Sequence, residues 1–252
     1  MKWKKQIKEK KMNKIKIALA PYKFENNNIT YNLNQIEKAM KEASKNADVV
    51  CFGEAFLQGF DALSWNYDVD KNVAISKDSA IIKDLCKKTI LYNVDLGIGY
   101  LELDNDSIYS SYMIISKGNI IHNYRRISIG WKEYTKCDYH YKEGRDVSEF
   151  IYKGKTFKIA LCGDAWDEAI KFNTKGILLW PVYVNYNIKE WETERLEYLA
   201  QASKMSTSVL LVNSIDEALD GINAHGGAFF YKDNKIDTYI DFDKEELLIV
   251  EV

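Results

Sequence analysis

Proline and histidine are scarce: two prolines, Pro21 and Pro181, and three histidines, His122, His140 and His225, in 252 residues. With so little proline and no Pro/Gly/Ser-rich stretch, there is no linker along which the chain would divide, so residues 13–252 are expected to form one domain. The scattered histidines show no ligand spacing with cysteine or carboxylate, which argues against a zinc or other metal site. No apolar run approaches the roughly 20 residues needed to cross a bilayer. No charge of one sign dominates: 35 basic and 37 acidic residues leave a net charge of −2. That balance offers nothing to nucleic acid or to an anionic membrane surface. No GxGxxG or Walker-type glycine loop follows a strand, which leaves a doubly wound nucleotide-binding protein without support.

The four cysteines, Cys51, Cys86, Cys137 and Cys162, contain no CxxC pair and are irregularly spaced. Neither a disulfide framework nor a metal cluster fits that spacing, so attention turns to one of them as a chemical group. The opening MKWKKQIKEKK is strongly basic but lacks the apolar segment of a secretory signal. Residues 1–12 are expected to be a disordered basic tail, and the protein to be cytoplasmic.

What is present is an alternation of short apolar runs and amphipathic stretches. Residues 14–21 read as a strand, and 32–47 as a helix through Ile36, Met40 and Ala43. Residues 48–52 (DVVCF) read as a buried strand. A second helix is expected over 79–93, then three strands over 94–103, 107–116 and 119–127 with hairpin chemistry between them. Further on, 149–152 and 156–162 read as a hairpin and 176–184 as a strand. A helix follows over 192–205, a strand over 209–213, and a last hairpin over 226–231 and 235–240. Strand–helix alternation mixed with hairpins indicates one or two mixed sheets with helices outside.

Sites in such folds lie at the carboxyl ends of strands. Three residues stand there. Glu54, in Gly53-Glu54-Ala55-Phe56, directly follows a buried strand between phenylalanines, where desolvation would make it a better base near neutral pH. Cys162, in Leu161-Cys162-Gly163-Asp164, closes another strand. Gly163 beside it is expected to let the backbone turn sharply and to leave room for a substrate near the sulfur. The cationic pair Arg125-Arg126 closes a third strand, and a cation there would favour a thiolate and stabilise an oxyanion. Taken singly, each has an ordinary structural explanation: a salt-bridged loop acid, a buried apolar cysteine, a basic edge strand. The set, each member closing a different strand, carries more than its parts.

In order and kind these segments resemble the nitrilase, or carbon–nitrogen hydrolase, superfamily. Tyr124-Arg125-Arg126 stands where the family has Tyr-Arg-Lys, and Cys162-Gly163-Asp164 resembles its Cys-x-Asp nucleophile segment. Leu179-Trp180-Pro181, Trp191 with its helix, Leu211-Val212-Asn213 and Gly226-Gly227 follow in the expected order. The resemblance implies a four-layer αββα sandwich that pairs into a homodimer or larger homo-oligomer. It implies hydrolysis of a non-peptide C–N bond in a small amide, carbamoyl compound or nitrile through a thioester, with no cofactor and no metal. Cys162 would be the nucleophile, Glu54 the base and Arg126 the cation in place of the family's Lys. Arg keeps the charge but is larger, planar and practically never neutral; Lys132 is the alternative. Glu133 is the expected second acid, with Asp138 behind it. The loop 130–144 that carries them is crowded with Trp131, Tyr134, Tyr139 and Tyr141, suited to a pocket or a dimer face. Gly163, Phe60, Trp166, Tyr183 and Asn185 are the expected substrate contacts, with Tyr134 a further candidate. The Arg substitution motivates a second reading, a catalytically impaired binding or regulatory protein of the same fold; a third is an acyltransferase to an amine, since the choice of acceptor depends on pocket shape.

Overall fold

The computed structural model describes residues 14–218 and 221–252, so the expected tail at residues 1–12 lies outside the described residues. The first half runs β1 (Lys16–Leu19), β2 (Lys23–Phe24), α1 (Ile29–Ala43), β3 (Val49–Cys51), α2 (Tyr67–Asp70), α3 (Ala80–Leu91), β4 (Asp95–Asp104), β5 (Ser107–Ser116) and β6 (Asn119–Arg125). The second half begins with β7 (Phe150–Tyr152), β8 (Lys155–Ile159), α4 (Asp164–Asp167) and a 3-10 turn (Ala169–Phe172). It continues through β9 (Ile177–Pro181), α5 (Ile188–Met205), β10 (Ser208–Val212), β11 (Ile215–Ala218) and β12 (Gly221–His225). It ends with β13 (Ala228–Lys232), β14 (Lys235–Ile240) and β15 (Leu248–Glu251).

Local chemistry sets the punctuation. Asn28, Ser79 and Asn187 cap α1, α3 and α5 by accepting from backbone N–H groups in the first turn, and Glu190 completes a capping box with Asn187. At Lys117-Gly118 and Lys153-Gly154 both residues have positive φ, the backbone of the two-residue turns that match strand twist.

Two six-stranded sheets form, ordered β15-β1-β3-β4-β5-β6 and β14-β13-β10-β9-β8-β7, with a small sheet β12-β11-β2 beside them. Alternation along each strand divides its side chains between two cores. Ile17, Val49, Tyr112, Ile114 and Tyr124 of the first sheet meet Phe157, Ile159, Leu179 and Leu211 of the second. Ala18, Val50, Leu96, Ile98 and Met113 face the other way, onto Ile36, Met40, Ile82 and Leu85 of α1 and α3. On the far side of the second sheet, α5 packs Trp191 and Tyr198 against Trp180 and Phe229. The arrangement is the expected mixed α/β fold of two sheets flanked by helices. Burying each large apolar side chain contributes about 1.5–3 kcal/mol.

Some elements differ from the sequence reading. The strand expected to run to residue 162 ends at Ile159, and a short helix, α4, begins at Asp164. Strands β2, β11, β12 and β15 were not anticipated; each is short, and β2, β11 and β15 pair with strands far away in the chain. β15, for example, exists by antiparallel pairing with β1. Among the described residues, no helix is long and apolar enough to cross a membrane.

Candidate active site

Glu54 sits three residues beyond β3 and is fully buried. Its segment is clamped between the sheets. The Glu54 N–H donates to the Val182 carbonyl of the second sheet at 3.2 Å, while Phe52 and Leu57 donate to Gly97 and Gly99 of β4. Gly99 makes this possible: a Cβ there would lie 2.4 Å from the Gly53 carbonyl oxygen and 2.6 Å from the Ala55 nitrogen. Any side chain at position 99 would displace Glu54.

The carboxylate itself is asymmetric. Oε1 accepts from the Ser110 hydroxyl at 2.9 Å and from Arg126 Nη1 at 2.9 Å. Oε2 is buried and has no hydrogen-bond partner among the described residues. Arg126 is 3% exposed; its Nε donates to the Ser128 hydroxyl at 2.8 Å, which leaves Nη2. Burial works against the guanidinium charge, but Glu54, Cys162 and Asp164 outweigh it and hold Arg126 above its ordinary value.

Cys162 follows β8 in a left-handed conformation, φ +47°. Such a backbone costs a non-glycine residue of order 1–3 kcal/mol and is retained where surroundings enforce it. The enforcement is visible: the Cys162 N–H donates to the Pro181 carbonyl at 2.9 Å, and the Trp180 indole N–H donates to the Cys162 carbonyl at 3.0 Å. The sulfur faces the Tyr183 carbonyl at 3.5 Å. Burial, then the Glu54 carboxylate, push the thiol up to about 12, opposed by Arg126.

The sharp turn therefore lies at Cys162, not at Gly163, whose φ of −61° is ordinary helix. Gly163 serves a different purpose from the one expected. A Cβ on it would lie 2.4 Å from Arg126 Nη2 and 3.2 Å from the Ser128 hydroxyl. The space left by its missing side chain is filled by the guanidinium.

Asp164 joins the Cys162 segment to the Arg126 segment. Its Oδ2 accepts from the Tyr124 hydroxyl at 2.5 Å and the Leu161 N–H at 2.9 Å. Its Oδ1 accepts from the N–H groups of Ile127 at 3.1 Å and Ser128 at 2.7 Å. Four donors on one buried carboxylate fix the two loops relative to each other.

The remaining expected residues are placed as follows. Phe60 stacks on Tyr183 with ring centres 4.2 Å apart, and the Tyr183 hydroxyl is held by Asp216 at 2.8 Å. Trp166 is 39% exposed and packs on Tyr198 and Trp180, while Asn185 is exposed. Glu133 is exposed, and no hydrogen bond among the described residues joins it to Glu54, Arg126 or Cys162. Asp138 is also exposed and holds His140. Lys132 is committed elsewhere, to Glu143 at 2.7 Å and the Tyr141 carbonyl at 2.7 Å. The carboxylate that this loop tucks inward is Glu143, which also accepts from Tyr134 at 2.6 Å. Trp131 and Tyr141 are buried packing residues; Tyr134 and Tyr139 are exposed. Among the described residues, no group of three or more His, Cys, Asp or Glu side chains could hold a metal ion.

Sequence reasoning did not single out Ser110, Ser128 or Glu143. Ser110 left one trace, a pair of hydroxyls with Ser111 in the middle of a mostly buried strand, each of which asks for a partner.

A buried carboxylate, a cation and a cysteine with positive φ, each just beyond the end of a different strand, form the arrangement on which comparison bears. The family model described as carbon-nitrogen hydrolase matches residues 16–172. The chain belongs to the carbon–nitrogen hydrolase family. Membership supports a hydrolase or a related enzyme. Curated protein sequences contain no match to the chain. Solved structures do: a CN-hydrolase superfamily protein of Xanthomonas campestris with an arsenic adduct in its active site superposes with TM-score 0.79 at 14% identity, covering 96% of this chain and 91% of that one. A carbon–nitrogen hydrolase of Helicobacter pylori G27 gives 0.76 at 15% identity, covering 95% and 89%. A variant of the amidase of Nesterenkonia sp. AN1, whose active-site cysteine carries acrylamide by Michael addition, gives 0.74 at 14% identity, covering 94% and 93%. At these identities the likeness establishes a shared fold.

Proposed function

We propose that this chain is a cysteine-dependent hydrolase that cleaves a non-peptide C–N bond of a small amide, carbamoyl compound or nitrile through a thioester acyl-enzyme. The observation that carries this reading is the state of Glu54. One carboxylate oxygen is saturated by Ser110 and Arg126, and the other is buried and unpartnered in the site of the Cys162 thiol. A carboxylate so held offers one basic oxygen in one direction. A thiol pushed up to about 12 keeps its proton at neutral pH and needs a base at the moment of attack.

With an amide, the Cys162 proton passes to Glu54 Oε2 as the sulfur adds to the carbonyl carbon. Arg126 Nη2 and the backbone N–H groups at Gly163 stabilise the oxyanion. Collapse expels the amine, which takes the proton from Glu54 and leaves a thioester. Water then adds to the thioester, giving its proton to Glu54. The acid departs and the proton returns to the sulfur. The Tyr183 carbonyl faces the sulfur and its ring stacks on Phe60, a pair suited to bound a pocket for a small organic acyl group.

Intact-mass analysis after incubation with a panel of small amides, nitriles and carbamoyl compounds tests this. The expected result is an acyl adduct on Cys162 that turns over to free acid, absent in Cys162→Ala. Activity that survives in Cys162→Ala would sink the proposal. Acrylamide, which adds to the active-site cysteine of the Nesterenkonia amidase variant, serves as a probe. It is expected to label Cys162 ahead of Cys86, and Cys86→Ala to leave that labelling intact.

The wedging of Arg126 against Gly163 also favours a second reading, an impaired binding or regulatory protein; an absence of adduct across the whole panel would select it. Adding amine acceptors to the panel separates hydrolysis from acyl transfer. The proposed homodimer is supported by exposed apolar side chains on and around α4 and α5: Ile170 (87%), Leu196 (62%), Ile188 (54%) and Trp166 (39%). Sedimentation at the dimer mass, lost on Leu196→Glu, is the expected outcome.

A further inference from the structure

We propose that Ser110 is a positioning residue for the base, holding Oε1 of Glu54 so that Oε2 alone is presented to the Cys162 thiol. This rests on the hydrolase reading above and adds to it a residue that acts through another.

β5 carries two consecutive serines and the end of β6 two consecutive arginines, and strand alternation sends one of each to opposite faces of the sheet. On one face the Ser111 hydroxyl donates to Glu102 at 2.7 Å, and Arg125 forks onto the same carboxylate through Nε at 2.9 Å and Nη2 at 2.7 Å. Glu102 also accepts from Asn123 at 3.0 Å, so both of its oxygens are engaged. On the other face the Ser110 hydroxyl donates to Glu54 at 2.9 Å and Arg126 donates through Nη1 at 2.9 Å, both to Oε1. The Ser110 carbonyl also accepts the Arg126 N–H at 2.9 Å, so one residue fixes the base through its side chain and the cation through its backbone. Each group joins a serine, a glutamate and an arginine, but Glu102 has Asn123 and Lys77 as further partners and Glu54 has none among the described residues. Glu102 is fully occupied and structural; Glu54 is occupied on one side only.

The asymmetry has a chemical consequence. The Ser110 hydroxyl, sharing Oε1 with Nη1, keeps the carboxylate turned so that Oε2 faces away from the guanidinium. Without Ser110, Oε1 is held by Arg126 Nη1 alone, and the carboxylate is free to turn about that one bond and withdraw its basic oxygen. The charged and titratable groups around it are Arg126 and Cys162, with Asp164 behind the guanidinium.

The test is the pH profile of Cys162 alkylation by iodoacetamide, read by intact mass and so independent of any substrate. In Ser110→Ala the acid limb is expected to move up by about one pH unit, a roughly tenfold slower reaction on that limb. Ser111→Ala removes the matching bond of the other group and is expected to leave the profile in place. Ser110→Thr and Ser110→Val have nearly the same shape and differ in the hydroxyl. Thr is expected to keep the wild-type limb and Val to follow Ala, which decides the matter even where Ala does not fold. Superposed profiles for Thr and Val, or an equal shift in Ser111→Ala, overturn the role of Ser110. A wild-type protein in which Cys162 is alkylated no faster than Cys86 overturns the hydrolase reading itself, and the positioning role with it.

Discussion

Arg126 and Glu54, 72 residues apart in the chain, meet at 2.9 Å with both side chains buried. A buried pair of this kind is not a general source of stability, because each charge loses its hydration on folding. It is an arrangement that cannot be half removed. Either partner left alone is an uncompensated charge in the interior, and each variant below inherits that asymmetry.

Glu54→Gln keeps the shape and an acceptor for Ser110 and Arg126, but replaces the basic oxygen with an amide. Turnover is expected to fall by about 10²–10⁴, the usual contribution of a positioned general base. Stability is expected to fall too, by about 3–5 kcal/mol, because Arg126 loses its counter-charge. Urea unfolding separates the two effects: a folded Gln variant with near wild-type turnover would remove Glu54 from the chemistry.

Arg126→Met removes the cation, the Ser128 contact and the Glu54 contact together. Loss of an oxyanion donor is worth about 10²–10³ in kcat. Arg126→Lys keeps a charge but has one nitrogen where the guanidinium uses three, so it cannot reach Glu54, Ser128 and the Gly163 side at once. The expected order of kcat is wild type, then Lys, then Met. A Lys variant faster than wild type would identify Arg126 as an impairment rather than a working part.

Much of this site was legible because strand ends are legible. The apolar runs before Glu54 and Cys162 mark where buried strands stop, Arg126 follows an edge strand, and chain order supplied the rest. What could not be read was who satisfies whom. Ser110 and Glu54 are 56 residues apart, and Asp164 reaches 36 residues back to the Ser128 N–H. No local pattern encodes such bonds. The positive φ of Cys162 was hidden for the same reason: it is imposed by Pro181 and Trp180 of the neighbouring strand, and Gly163 drew the argument as the usual residue for a turn. Glu133, expected as the second acid, is exposed, and the acid that Lys132 and Tyr134 hold in this loop is Glu143. Their partnership spans a loop with no periodicity to reveal which side faces in.

Gly163→Ala adds one methyl where only 2.4 Å separates it from Nη2. The guanidinium must move, and it is tethered at Nη1 and Nε, so it cannot yield as a flexible chain end would. The expected cost is about 1–3 kcal/mol of stability, typical of overpacking, together with a drop in kcat greater than any change in KM. Unchanged kcat in a folded Ala variant would show that Nη2 has no part in turnover.

Glu37 offers a pH prediction away from the site. Lys41 at 2.6 Å, Lys88, and the Tyr92 hydroxyl at 2.6 Å converge on it and clip α1 to α3. The Lys41, Lys88 and Tyr92 hydrogen bonds, in that order, depress its carboxyl from 4.5 to about 2. A depressed acid contributes stability while it is ionised in both folded and unfolded states, hence above its ordinary value near 4.5. That contribution fades as pH falls toward about 2, where the folded form also takes up a proton. The side chain is 25% exposed, so solvent screens the cluster; the effect at neutral pH is expected to be about 1 kcal/mol. Glu37→Gln should therefore unfold more easily than wild type at pH 7, and the difference in urea midpoint should close between pH 4.5 and 2. A difference that stays constant across that window would assign the loss to packing of α1 on α3 rather than to the charge of Glu37.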